Sequence, residues 1–299
     1  MTEAAISLGG VFPPLPTPFD TEGAVAPQAL ADNIQRWNEY DLSGYVVLGS
    51  NGEMPYLTDP EKVRVWEAAR RATPSDKLMI AGTGCESTRQ TVQLSCQAAD
   101  AGADAVLVLT PHYYQGQMTG EALAHHFWAV ADATPVPVVL YNMPRFTNVD
   151  MDAPTVTRIA QHPNIVGIKD SGGNVGKLAQ IVHSVGPDFH VLAGSASFFL
   201  PALAVGAVGG VMALANVAPQ QAIDLYNLFQ AGRWDEAASV QRGLIAVNTA
   251  VTAQFGVPGL KAALDALGYY GGPVRSPLRP LDELDIQVLK AILVEGGVL

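Results

Sequence analysis

Cysteine is nearly absent. Cys85 and Cys96 are the only two in 299 residues, and neither belongs to a CxxC pair. That excludes a disulfide framework and suits a reducing compartment, so a cytoplasmic location is expected. Charge is sparse as well: charged residues make up 15%, and 17 lysines and arginines face 28 acidic residues, for a net charge of -11. A chain this acidic repels phosphate backbones and anionic membranes, so no nucleic-acid partner is expected. Met1 to Gly10 lacks a basic region followed by an apolar stretch, and no secretory signal is expected.

An unbroken hydrophobic run is also missing. Val191 to Ile223 contains no charged residue, but Gly194, Pro201, Gly206, Gly209, Gly210 and Pro219 interrupt it. A spanning helix needs roughly 20 consecutive apolar residues. Two buried elements joined by a tight loop are expected instead, with no membrane partner. No GxGxxG follows a strand pattern, and Walker A, GxSxG, HxH and HExxH sequences are lacking, so no metal is expected. His125 and His126 are neighbours on a predicted helix, about 100° apart, and a solvated face is expected for them.

What is present is core material, at 48% hydrophobic residues, in a regular alternation. Apolar runs at Tyr45–Leu48, Leu78–Ala81, Ala105–Leu109, Val136–Leu140, Ile165–Ile168, His190–Ala193 and Val208–Met212 read as strands buried on both faces. An opening run, Gly10 to Thr17, is weakened by Pro13, Pro14 and Pro16. Helical patterns lie between them at Gln28–Glu39, after Thr58, and at Ser87–Ala101, Gly120–Ala133, Ala153–Gln161, Val175–Ser184, Ser197–Val205 and Pro219–Gln230. Thr58 and Glu61 have capping-box spacing around Pro60.

Eight strands alternating with eight helices over about 230 residues predict an α/β fold, a (β/α)₈ TIM barrel. A doubly wound open sheet is the alternative, without its glycine fingerprint. The remainder reads as helical near Asp235–Phe255, Gly259–Leu267 and Leu281–Leu293. The organisation expected is a barrel over 1–233 and a C-terminal helical extension over 234–299, together one structural domain.

Active sites in this architecture lie at the C-terminal ends of the strands. Lys169 stands out there, following the apolar Ile165–Ile168. It reads either as a lysine paired with Asp170 or Glu53, or as an amine that forms a Schiff base with a ketone. An apolar barrel mouth would lower its pKa and raise its reactive fraction. Tyr141 ends the fifth strand; with strands about 5 Å apart, its phenol can reach a carbinolamine on Lys169. An aromatic plug is the alternative. Gly49-Ser50-Asn51-Gly52-Glu53 closes the second strand and reads as a carboxylate nest or a plain turn. The Gly194-Ser195 and Gly209-Gly210 turns suggest a phosphate cradle, though neither has a nearby lysine or arginine.

With these residues in place, the sequence resembles the dihydrodipicolinate synthase and N-acetylneuraminate lyase family of pyruvate-handling class I aldolases. The motifs that carry the likeness are GSNGEMPYLT at 49–58, YNMP at 141–144 and GIKDSGG at 167–173, with PGLKAALDALGYYGGPVRSPL at 258–278. AGTGCEST at 81–88, TPHYYQGQMT at 110–119, VLAGSASF at 191–198 and GAVGGVMALANV at 206–217 are most similar to its 4-hydroxy-2-oxoglutarate aldolase branch. The resemblance implies a carbon-carbon lyase with Lys169 as the Schiff-base lysine and Tyr141 as the proton-relay phenol. It implies that Ser50 and Asn51 hold the pyruvate carboxylate. It also implies a homotetramer in which Tyr113 or Tyr114 reaches across a subunit contact, and no cofactor beyond the imine. The synthases carry an arginine where Phe146 stands here, so Arg145 is the expected clamp for a second carboxylate. The substrate-binding set expected is Ser50, Asn51, Arg145, Gly194, Ser195 and Val211. Dihydrodipicolinate synthase and 2-keto-3-deoxy sugar acid aldolase remain alternative activities. A silent, acid-binding sensor barrel is the non-enzymatic one.

Overall fold

The computed structural model describes residues 6–299. Eight parallel strands form one sheet: β1 (Gly10–Phe12), β2 (Gly44–Val47), β3 (Leu78–Gly82), β4 (Ala105–Leu109), β5 (Val138–Asn142), β6 (Ile165–Asp170), β7 (His190–Ala193) and β8 (Gly209–Val211). From β2 to β8 each pairs with the next in chain order, and β8 returns to β1. β1 stops at Phe12 because Pro13 and Pro14 carry no N–H to donate. The β1–β2 seam is closed instead by Val46 N donating to Pro13 O (3.1 Å) and Leu15 N donating to Val46 O (2.8 Å). The result is a (β/α)₈ TIM barrel.

Period-2 alternation sorts the strand residues into two layers. Phe12, Val46, Ile80, Leu107, Val139, Tyr141, Leu192 and Val211 fill the barrel interior. Val11, Tyr45, Val47, Ala81, Val106, Val108, Leu140 and Ile168 face outward and pack under the helices. Both faces are buried, which is why the strands read as continuous apolar runs.

Eight barrel helices and one short insertion follow the strands: α1 (Pro27–Trp37), α2 (Asp59–Ala72), α3 (Thr88–Asp100), α4 (Gly120–Ala133), α5 (Pro144–Thr147), α6 (Ala153–Ile159), α7 (Val175–Ser184), α8 (Phe199–Ala204) and α9 (Pro219–Gln230). Their starts are chemically marked. Glu61 accepts from the Thr58 N–H at 2.8 Å, completing the expected capping box, and Ser87, Thr119, Asp152 and Asn174 each accept a backbone N–H as N-caps.

Three expectations change. The uncharged 191–223 stretch forms more than two elements: β7, α8, β8, two 3₁₀ turns and the start of α9. The glycines and prolines that break it cut it that finely. Gly209-Gly210 is not a turn but lies within β8, where a side chain on Gly209 would strike the Gly10 carbonyl oxygen at 2.3 Å. It makes the close approach that joins β8 to β1, not an anion cradle. The 235–255 helix is split into α10 (Trp234–Gly243), α11 (Ile245–Thr249) and a π-helical turn (Ala250–Gln254), the first break coming at Gly243, a weak helix former. α12 (Gly256–Ala266) and α13 (Glu283–Glu295) follow. α10 packs on α8 and α9, while α11 reaches the turn after β7. Among the described residues, no helix is long and apolar enough to cross a membrane.

Candidate active site

β5 begins at Val138, since Pro137 has no N–H, and runs through Tyr141 to Asn142; β6 runs on to Asp170. Tyr141 and Lys169 therefore lie inside their strands as register partners, both on the interior parity. Lys169 is 3% exposed, and its Nζ lies 4.0 Å from the centroid of the Tyr141 ring. Neither acidic residue considered as its partner is available. Glu53 pairs with Lys261 at 2.6 Å, and Asp170, on the outward parity, pairs with Lys177 at 2.8 Å. Among the described residues Lys169 has no carboxylate partner.

The turn after β2 coils as a 3₁₀ turn, Ser50–Gly52, ended by Glu53 in the left-handed region at φ 54. Gly82 permits its approach, since a Cβ there would sit 2.1 Å from the Leu48 carbonyl oxygen. Thr17 Oγ1 donates to Gly52 O at 2.6 Å, and Asn51 Nδ2 donates to Pro14 O at 3.4 Å. These contacts tie the turn to the end of β1. Ser50 Oγ then stands 3.2 Å from the Tyr141 hydroxyl, close enough to exchange a proton with it.

A cavity of about 290 Å³ surrounds this pair. Ser50, Asn51, Tyr141, Arg145, Lys169, Gly194, Ser195 and Val211 all line it, so every expected substrate-binding residue is brought together. A second, more apolar chamber of about 670 Å³ shares Ser50, Tyr141, Arg145 and Phe146 with it and adds Met54, Leu109, Phe255, Pro258 and Leu278. Arg145 Nη2 donates to Ala253 O at 3.3 Å, holding the guanidinium at the boundary of the two spaces.

Tyr113 and Tyr114 are placed differently. They are 75% and 69% exposed, pack edge to face at 5.0 Å, and line neither cavity. Among the described residues no second phenol hydrogen-bonds to the Tyr141–Ser50 pair. Their loop is nonetheless anchored: Glu86 Oε2 accepts from His112 N (2.9 Å) and Tyr113 N (2.7 Å), and Oε1 lies 2.8 Å from His112 Nδ1.

Several lining residues were not singled out in the sequence. Ser171 and Ser197 line the smaller cavity, and Thr252 and Ala253 of the π-helical turn line both. π-helical turns concentrate at functional sites, but nothing in the pattern of 235–255 announces one. Ser197 sits within the quoted VLAGSASF segment, and its place after β7 was the available signal. The expectation for His126 is corrected: it is 6% exposed, packed against α3 with Nδ1 2.9 Å from Thr88 Oγ1, and burial pulls its pKa down to about 4. Only His125 lies on the solvated face.

Residues 7–295 match the model of the dihydrodipicolinate synthetase family. An uncharacterised DapA-like lyase of Halobacterium salinarum is 38% identical over 294 residues, covering 98% of this chain and 96% of that one. A probable mitochondrial 4-hydroxy-2-oxoglutarate aldolase of Emericella nidulans is 39% identical over 241 residues, covering 79% and 78%. The structure of a chloride-inhibited dihydrodipicolinate synthase of Acinetobacter baumannii complexed with pyruvate superposes with a TM-score of 0.93 at 29% identity, covering 98% of this chain and 100% of the other. A lysine and a tyrosine paired in the mouth of a closed parallel barrel, on a chain that matches along nearly its whole length, place it plainly: it belongs to the dihydrodipicolinate synthetase family of lyases.

Proposed function

We propose that this lyase cleaves 4-hydroxy-2-oxoglutarate to pyruvate and glyoxylate through an imine on Lys169. The observation that carries the reading is the register pairing of Lys169 with Tyr141, the amine free of any carboxylate among the described residues and the phenol 3.2 Å from Ser50 Oγ. The Lys169 amine attacks the C2 ketone of the substrate, and the carbinolamine loses water with a proton supplied through Tyr141. The Tyr141 phenolate so formed takes the C4 hydroxyl proton, the C3–C4 bond breaks, glyoxylate leaves, and the electron pair of that bond passes into the enamine. The enamine takes up a proton at C3, and water then releases pyruvate and restores the amine. A phenol suits these steps because it both gives and accepts a proton.

Ser50 and Asn51 are proposed to hold the carboxylate next to the ketone, with Gly194, Ser195 and Val211 shaping the rest of the cavity. Arg145 is the cation at the boundary toward the larger chamber and the candidate for the second carboxylate, since guanidinium–carboxylate contacts are among the stronger hydrogen bonds. The Emericella relative supports this substrate, and so does Phe146, which stands where the family resemblance implies an arginine in the synthases. The Acinetobacter synthase, complexed with pyruvate, supports the same pyruvate half and favours the second reading, condensation of pyruvate with aspartate semialdehyde. Borohydride added with pyruvate is expected to fix one reduced pyruvate on the peptide carrying Lys169. An unchanged intact mass at saturating pyruvate overturns the imine. A panel of 4-hydroxy-2-oxo acids assayed for pyruvate release, beside the condensation assay, separates the two substrates.

A further inference from the structure

One residue beyond Tyr141 and Lys169, Asn142 and Asp170 are again register partners, on the opposite parity and wholly buried. They join a polar cluster outside the barrel wall. Asn142 Nδ2 donates to Asp170 Oδ2 at 2.8 Å and to Asp150 Oδ1 at 2.7 Å. Its side-chain Oδ1 accepts the Met151 N–H at 2.9 Å. Lys177, from the first turn of α7, reaches Asp150 at 2.5 Å and Asp170 at 2.8 Å. Asp170 Oδ1 accepts the Gly172 N–H at 2.8 Å. Burial alone would pull the Lys177 ammonium down, but Asp170 and Asp150 outweigh it and hold the pKa above the usual lysine value.

None of these four residues lines either cavity, so none is placed to touch substrate. Their common effect is geometric: they fix the end of β5 against the end of β6 at the rung next to the reacting pair. We propose that Lys177 is a positioning residue, clamping Asp150 and Asp170 about Asn142 so that Tyr141 and Lys169 keep the spacing their proton transfers require. The inference rests on the imine reading. Removing the ammonium leaves the Asp170 carboxylate buried without its counter-charge, which forces the strand ends to move or to admit water. Proton transfer is steeply sensitive to such movement.

Lys177→Met, Lys177→Arg and the wild-type protein are compared for the rate of borohydride-trapped imine at saturating pyruvate, for half-saturating pyruvate, and for melting temperature. Lys177→Met is expected to slow imine formation by about ten-fold or more with half-saturation changed less than about two-fold, because the carboxylate turn lies on other strands. Lys177→Arg keeps charge and donors and is expected to recover most of that rate. A residue that only stabilises the fold would lower the melting temperature of Lys177→Met and leave the rate alone, and that result overturns the proposal. So does a loss of rate that Lys177→Arg does not restore. If Lys177→Met does not fold, Asp150→Asn, at the more exposed end of the cluster, is expected to slow imine formation in the same way, and a wild-type rate overturns the proposal. Failure of the imine reading is distinct: the wild-type protein itself then traps no pyruvate, and both readings fall together.

Discussion

Tyr141 offers Lys169 two different things, a ring face 4.0 Å from the amine and a hydroxyl directed to Ser50 Oγ. The ring face favours a cation through its quadrupole, while only the hydroxyl moves protons. Tyr141→Phe separates the two. The ring, its packing and the cation contact stay, so the melting temperature is expected to hold while turnover falls by about 10²–10⁴-fold. Turnover within a few-fold of wild type would assign Tyr141 to packing. Lys169 and Tyr141 were legible in the sequence because each interrupts an apolar strand at its C-terminal end, where buried chemistry stands out. Thr252 and Ala253 were not: they lie in a stretch that reads as an ordinary helix, and only the π-helical turn brings them to the cavities. The Glu53 and Asp170 alternatives for Lys169 failed for a related reason. Adjacent strand residues face opposite sides of the sheet, so Asp170 answers to Lys177 behind the wall, and Glu53 answers to a lysine far along the chain.

Elements were easier to place than their ends. Most strands and helices lie where the apolar periodicity put them, because burial on both faces of the sheet and caps at the helix starts are local signals. The ends depended on hydrogen-bond supply, as at Pro13, Pro14 and Pro137, or on which side a helix turned. α4 shows the second case. His125 and His126 differ by about 100° around its axis, so one meets solvent and the other meets α3. The buried ring leaves a signature in pH. In the unfolded chain His126 takes its proton near 6.5, in the folded protein only near about 4, because burial disfavours the cation. Its folded pKa is depressed, so between those values the unfolded state binds the additional proton. Stability is therefore full above 6.5 and is lost on acidification toward 4. Thermal melts are expected to show a loss of about 1.4 kcal/mol per pH unit over that window, absent in His126→Gln. Identical acid profiles for the two proteins would mean that the ring is protonated in place.

At the scale of the whole molecule, the C-terminal extension is fastened to the turn that would hold the carboxylate. Lys261 of α12 and Glu53 are each about 1% exposed and 2.6 Å apart, and the Arg275 N–H donates to the other Glu53 oxygen at 2.8 Å. Breaking one side of a buried pair leaves an uncompensated charge, so Lys261→Met is expected to cost about 3–5 kcal/mol of stability. The double variant Glu53→Gln with Lys261→Met is expected to lose less than the sum of the single losses, measured by denaturant unfolding. Simple additivity would show the pair to be uncoupled. The loop after β4 carries the argument beyond one chain. Tyr113 and Tyr114 hold two large rings in water at 75% and 69% exposure, on a loop that Glu86 pins at two backbone N–H groups. A fixed, exposed aromatic pair is the composition of an interface centre, where such rings carry much of the binding energy. Beside it, reached by His112, lies the apolar chamber of about 670 Å³, next to a Tyr141–Ser50 pair to which no second phenol hydrogen-bonds among the described residues. A second copy supplying one ring would cover the aromatics and complete the relay together, so the protein is expected to be a homo-oligomer; a tetramer built from such dimers is what the family resemblance implies. Light scattering is expected to give a mass several times the 31.5 kDa of the chain, and the double substitution Tyr113→Ser with Tyr114→Ser to lower both that mass and turnover. A particle of 31.5 kDa that turns over at the full rate would leave the relay to Tyr141 and Ser50 alone.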